Sequence, residues 1–282
     1  MPALHTLMTG LAFGESPRWH EDRLWFSDMG AGEVVAVDLE GNSEVIARVP
    51  AMPMGTGWLP DGRMLIVCSR DGLLLRIEPG GSLVTHADLT GLASHPWSDM
   101  AVDGRGNAYI GNIGFEFGRD EPAPGTVALV TPDGSARQVA DGFMFPNGIV
   151  VTPDNSTLII AESYGHRLTA FDIAADGSLS GRRVWADLGD GFPDGICLDA
   201  DDAVWYAEVP GKRCVRVREG GQVPQTIELD RGCFACMLGG AGRRTLFLMA
   251  AEFSGAASMS GQGPRTGQVL TAAAPAPGAG WP

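Results

Sequence analysis

Positive charge is scarce in this chain of 282 residues. Its 20 Lys and Arg stand against 34 Asp and Glu, giving a formal net charge of −14 and a pI near 4.7. That deficit opposes nucleic acid as a partner, because holding a phosphate backbone requires clustered cations that displace counterions. It equally opposes an anionic membrane surface, and no apolar run approaches the roughly 18 to 20 residues of a membrane helix. The first segment, MPALHTLMTGLAFGESPRW, lacks the basic start and continuous apolar stretch of a secretory leader, so the expected location is cytoplasmic. Cysteine is sparse and odd in number. Cys68, Cys197, Cys214, Cys233 and Cys236 argue for reduced thiols rather than a disulfide framework. The lone CxxC of Cys233 and Cys236 has no second pair and no nearby His, and reads as buried small side chains rather than a zinc site. Helical periodicity is missing over any useful length. So are a Gly-x-Ser-x-Gly elbow, a His-Glu-x-x-His helix and a phosphate-binding loop, and nothing near Ser16 supplies a base for serine catalysis.

What is abundant is turn chemistry. Forty Gly, nineteen Pro and 44% hydrophobic residues describe a strand-rich chain with enough apolar mass for a sizeable core. Six segments share one grammar of a small or polar start, an alternating apolar strand, an Asp/Gly turn and a second apolar strand. They begin near Glu15, Gly55, Ser98, Pro146, Pro193 and Phe234, at intervals of 40, 43, 48, 47 and 41 residues. Between paired apolar runs, LPDGRMLIV (59–67), VDGRGNAYI (102–110), TPDNSTLII (152–160) and LDADDAVWY (198–206) place residues that tolerate positive φ. This period predicts an all-β fold: a six-bladed β-propeller occupying 1–282 as a single domain. The leftover ALHTLMTGL and QVLTAAAP segments are expected to close the ring and so remove its exposed edges.

The repeats differ where their inner strands begin. PNGI (146–149) returns as PDGI (193–196), one frame carrying Asn147 and then Asp194. Glu15 stands at the equivalent point of the first repeat and Asp99 at that of the third, so four oxygen-bearing side chains are expected to face one end of a central channel. Taken singly, Glu15 reads as a surface partner of Arg18, and Asn147 and Asp194 as turn caps after proline. Taken together they break a shared repeat at one register. Converging carboxylates repel one another and resist desolvation unless a cation lies among them. An all-oxygen set suits Ca²⁺, Mg²⁺ or Mn²⁺ better than Zn²⁺. Phe13, Trp97, Phe115, Phe117, Phe145, Phe192 and Phe234 fall beside these starts and favour an apolar substrate. His166, in AESYGH, reads as a structural hydrogen bonder.

The pieces FGESPRW with LWFSD, SDMAVDGRGNAYIGN, FPNGIVVTPDNSTLIIAES, PDGICLDADDAVWYAE and CFACMLGGAGRRTLF, running on to the terminal GAGWP, resemble the SMP-30/gluconolactonase/luciferin-regenerating-enzyme family, which includes regucalcin. The resemblance implies a six-bladed propeller with one divalent metal ion in its central channel, and lactone hydrolysis as the activity. Carried over by position, Glu15, Asn147 and Asp194 would be the metal ligands, with Asp194 also the proton acceptor. Ser98, Asp99 and Glu116 would be the substrate contacts. Calcium is the expected metal, with Zn, Mg, Mn or Fe as alternatives. The stretch HPWSDM puts Pro96 and Ser98 where the family's sugar-acid lactonases carry Arg and Asn, which points away from a sugar lactone. The expected partner is a small-molecule substrate, and the expected state a monomer or homodimer. Two other readings stay open: the same metal site acting on phosphotriesters or in a non-hydrolytic oxyanion reaction, and a non-catalytic calcium-binding propeller.

Overall fold

A computed structural model describes residues 3–49 and 51–280. Pro50 and the ends, including Trp281 and Pro282 of the GAGWP segment, lie outside the described residues. The chain forms six four-stranded antiparallel sheets. Blades 1 to 5 occupy 14–48, 53–88, 97–143, 146–187 and 193–228, each in simple sequence order. Blade 6 takes three strands from 232–273 and its fourth from the opposite end of the chain. There His5–Leu11 pairs with Gly267–Ala273, His5 opposite Thr271. The expected closure is therefore present, and each inner strand packs on the next until the sixth meets the first.

The Asp/Gly turns behave as the sequence suggests. Asp103 accepts from the backbone N–H of Arg105 and Asn107, and Asp199 from those of Asp201 and Ala203, which closes each hairpin by side-chain mimicry of a backbone turn. The apolar alternation fills the spaces between blades. Trp205 and Phe247 are fully buried between blades 5 and 6, and Tyr109 and Phe171 lie between blades 3 and 4. All five cysteines are free and buried, as expected of small core side chains. Helix is confined to two short 3-10 turns among the described residues, and no helix is long and apolar enough to cross a membrane.

One irregularity positions everything that follows. Each inner strand (Gly14–His20, Pro53–Trp58, Trp97–Val102, Pro146–Val151, Pro193–Leu198 and Gly232–Gly239) carries a register shift within its first few residues. Such bulges re-aim side chains that strict alternation would bury in the sheet. They occur at the same place in all six blades.

Candidate active site

The residues at this irregularity are Glu15, Met54, Ser98, Asn147, Asp194 and Phe234, one from each blade. All six line a single cavity of about 750 Å³ at one end of the channel. In blades 4 and 5 the next residue is glycine for a steric reason. A Cβ on Gly148 would stand 2.5 Å from the Ile196 backbone nitrogen, and one on Gly195 would stand 2.5 Å from the Ala235 Cβ. The twin PNGI and PDGI motifs thus encode a proline, a cavity-facing side chain with an oxygen acceptor, a glycine where blades touch at the axis, and a core isoleucine.

Blade 3 departs from the sequence expectation by one residue. Ser98, not Asp99, holds the cavity-facing position. Asp99 turns below it, accepting from the Ser16 hydroxyl and from the Arg18 guanidinium, both at 2.9 Å. Arg18 is buried with it, donating also to the carbonyls of Pro17 and Met100. Glu15 is not Arg18's ion-pair partner; it accepts from the Ser16 N–H at 3.1 Å.

Burial pushes the Glu15 carboxyl well above its usual range, and the negative charges of Asp194 and Asp99 push it further, against the opposing Ser16 N–H and Arg18. Burial likewise pushes Asp194 up to about 8, with the Asn147 amide opposing and Asp99 reinforcing the shift. The Asn147 amide nitrogen donates to Ser163 Oγ at 3.3 Å and also faces the Asp194 carboxylate. This leaves the amide oxygen as the group available to a cation. Ser163 Oγ donates in turn to the Pro193 carbonyl at 2.7 Å, so one hydroxyl ties Asn147 to the strand start that carries Asp194. Two desolvated carboxylates and one amide oxygen suit a hard divalent cation, whose charge would offset their mutual repulsion. Among the described residues no group of three or more His, Cys, Asp or Glu is placed to hold a metal, and the third member here is an amide.

Ser98 lines the cavity, but its hydroxyl is committed to the Pro146 carbonyl at 3.0 Å and the Gly111 carbonyl at 3.3 Å. Its visible role is to hold the start of the Asn147 strand. Glu116 is not on the cavity lining; its carboxylate lies 3.4 Å from Arg70 on the loop after the second strand of blade 3. His166 bonds the Gly191 carbonyl at 3.0 Å and packs edge-on to Phe192 at 4.3 Å, a structural role.

Phenylalanines that the sequence already placed beside the strand starts form a second layer, and what the sequence reading missed is how their loops are held. Phe13, Phe145 and Phe192 each stand two residues before a member of the Glu15, Asn147, Asp194 triad, and all three line the cavity. The repeated FGE, FPN and FPD triplets carry that signal. Each supporting loop is pinned by an acid at the end of the neighbouring strand. Asp28 accepts from the Phe13 N–H at 2.7 Å, Glu162 from Met144 at 3.0 Å and Glu208 from Phe192 at 3.3 Å. Phe145 sits at φ +61°. A bulky side chain in this left-handed region costs about 1–3 kcal/mol and persists only where neighbours impose it. Here the Ser163 and Tyr164 N–H groups grip the carbonyls of Phe145 and Met144 at 3.0 and 3.1 Å. Of the aromatics singled out in the sequence, Trp97 is a core residue and Phe115 packs on Phe145 without lining the cavity; Phe253 and Met259 of the strap 252–266, not singled out there, do line it.

The profile of the SMP-30/gluconolactonase/LRE-like region matches residues 13–252. Over 277 residues the chain is 26% identical to the 6-deoxy-6-sulfogluconolactonase of Pseudomonas putida, covering 95% of this chain and 94% of that protein. It is 27% identical over 205 residues to the diisopropyl-fluorophosphatase of Loligo vulgaris, covering 63% of each. A crystal structure of the calcium-binding protein regucalcin from Agrobacterium tumefaciens superposes with a TM-score of 0.81 at 23% identity, over 99% of this chain and 95% of that one, and so shares the fold. With the profile spanning all six inner strands, the chain belongs to the SMP-30/gluconolactonase/LRE-like family.

Proposed function

We propose that the protein is a hydrolase that opens a lactone, a cyclic ester, with a divalent cation held by Glu15, Asn147 and Asp194. The observation that carries this reading is the meeting of a buried and a half-buried carboxylate, both of raised pKa, with one amide at a single register, on the floor of a cavity large enough for a small molecule. Similarity to a sulfogluconolactonase along nearly the whole chain supports the reaction class. Regucalcin, named as a calcium-binding protein, supports calcium as the ion to test first.

A divalent cation in such a site supplies polarisation of the ester carbonyl and stabilisation of the oxyanion. The residues do the rest. Asp194 accepts the proton of the water that adds to the carbonyl carbon and returns it to the ring oxygen as the acyl C–O bond breaks, so that the product is an open hydroxy acid. Asn147, fixed by Ser163, holds the Asp194 carboxylate in place. The phenylalanines at positions 13, 145 and 192 keep bulk water away and so strengthen each interaction on the floor.

Proton release measured over aliphatic, aromatic and sugar lactones, with metal-stripped and reconstituted protein, tests the proposal. Asp194→Ala is expected to lose roughly 100-fold or more in kcat/KM. If no lactone turns over with any added divalent cation, the proposal fails. The similarity to diisopropyl-fluorophosphatase favours one second reading, phosphotriester hydrolysis at the same floor. Turnover of phosphotriesters without lactones would establish it instead.

A further inference from the structure

The cavity is divided by chemistry. Its polar groups lie on the floor and on a rim of Lys212, Asp230, Arg231 and Glu252, whereas the wall above Asn147 is a cluster of rings centred on Phe145. Phe115 stands 5.6 Å from it, Phe117 5.7 Å and Tyr164 5.2 Å, and the Phe145 and Tyr164 rings are perpendicular. On the opposite side Phe13, Phe234 and Phe253 form a second cluster, with centroids 4.4 and 5.5 Å apart. The roof is the strap 252–266, which leaves blade 6 and crosses the mouth. It is seated where Gly261 meets the Gly30 carbonyl of blade 1, and where Ala256 approaches Gly118 on the long loop of blade 3. Met259 joins the core cluster of Phe13 and Phe234 beneath it. The charged rim sets Lys212 and Arg231 against Asp230 and Glu252, so it carries no net charge to attract an ionic substituent. Arg231 is held by Asp230 through two hydrogen bonds, and Lys212 donates to the Asp230 carbonyl at 3.4 Å.

Phe145 supplies an independent observation. A glycine would occupy its left-handed backbone without strain, so the ring is present despite the backbone preference. Glu162 anchors the loop through the Met144 N–H and is itself fully buried; burial would raise its carboxyl, but Arg167, Thr169 and that N–H hold it below its ordinary range. The fold thus maintains a strained aromatic side chain beside the triad where small residues would serve the backbone better.

Building on the lactone reading, we infer that the substrate carries an apolar substituent, an alkyl chain or aryl group on the cyclic ester, seated between the two ring clusters beneath the strap, and that Phe145 determines this specificity. Polyhydroxylated lactones would leave hydroxyls facing rings without partners.

The test uses two matched series on the full-length protein loaded with divalent cation. One is γ-alkyl lactones with side chains from methyl to octyl, followed by turnover. The other is γ-alkyl lactams of the same lengths, followed by calorimetric binding. Lactam affinity is expected to rise about threefold or more per methylene until the pocket is full, as burial of each methylene predicts. Phe145→Gly is expected to flatten that slope while keeping Tm within a few degrees of wild type, because relief of the positive φ offsets lost ring contacts. Phe117→Ala, at the rim of the same cluster, carries the same expectation should the first variant fail to fold. A flat series in the wild type, or a slope that survives in the folded variant, would overturn the inference. If the lactam slope appears but no lactone turns over, the ligand class stands and the hydrolase reading falls. Turnover of short lactones with no chain-length dependence upholds the hydrolase reading and overturns the apolar substituent.

Discussion

Among the described residues Arg18 is the guanidinium buried beneath the triad, and replacing it with methionine separates its structural role from the proposed cation binding of the channel. The side chain is 6% exposed, as is its partner Asp99, and it also opposes the upward push on Glu15. Removing one member of a buried pair costs about 3–5 kcal/mol. For a chain of 282 residues the unfolding entropy is about 0.6 kcal/mol/K, so the metal-free variant should melt about 5–8 °C below wild type. The loss falls toward the lower end, because Asp99 keeps the Ser16 hydroxyl and the Met100 N–H at 2.8 Å. Calcium, or whichever divalent cation binds, should then raise Tm more in the variant than in wild type. With Arg18 gone, Glu15, Asp99 and Asp194 have no protein cation among them. Each tenfold gain in cation affinity adds about 2 °C to the shift. Differential scanning calorimetry with and without chelator reads both quantities. A metal-free Tm within about 2 °C of wild type, or a cation shift no larger than that of wild type, would refute the electrostatic account of the floor.

The raised carboxyls set a pH dependence for the metal-free protein. Because Glu15 and Asp194 bind protons more tightly folded than unfolded, their contribution favours folding at low pH and is lost as pH climbs from near 4 toward 8. Urea midpoints of chelated protein should fall across that window, and saturating cation should remove the decline; a midpoint rising to pH 8 without metal would contradict it. Ser163→Ala should weaken cation affinity by roughly 10–100-fold, the usual effect of releasing a ligand's support, as read by competition with a chromogenic chelator. Gly195→Ala places a methyl 2.5 Å from Ala235 Cβ and should cost about 1–3 kcal/mol in urea denaturation, whereas the same change at the exposed turn residue Gly62 meets no atom within 4 Å and is limited to its positive-φ penalty.

The architecture was legible because its causes are local. Asp/Gly hairpins, two-residue alternation and a near-constant period declare blades, and the unmatched ends declare their pairing. The convergence of Glu15, Asn147 and Asp194 on one cavity was legible as a break in the shared repeat. The error at Asp99 has a specific origin: the repeat grammar counts residues, but a bulge decides which of two adjacent residues faces the axis. In SDMA the more acidic residue drew attention, while Ser98 held the register. Glu116 was placed by its position in a motif, and loops as long as the one between the second and third strands of blade 3 do not transmit register. Arg18, Ser163 and the strap 252–266 act through contacts between blades, which a linear reading does not contain. The phenylalanines of the FGE, FPN and FPD triplets were legible as aromatics beside the strand starts, whereas their repetition as triplets went unused.

The pairing of His5–Leu11 with Gly267–Ala273 also imposes an order in time. During synthesis the strand His5–Leu11 waits without this neighbour until Gly267–Ala273 has left the ribosome, more than 250 residues later in the chain. Glu15 lies in blade 1 and Asp194 in blade 5, with blade 6 bridging the gap between them, so their separation is fixed only when that last strand docks. A chain released short of residue 267 would carry every residue of the floor and have no floor. If the triad holds a cation as proposed, that binding would double as a register of completed synthesis, available to full-length molecules and denied to their truncated siblings.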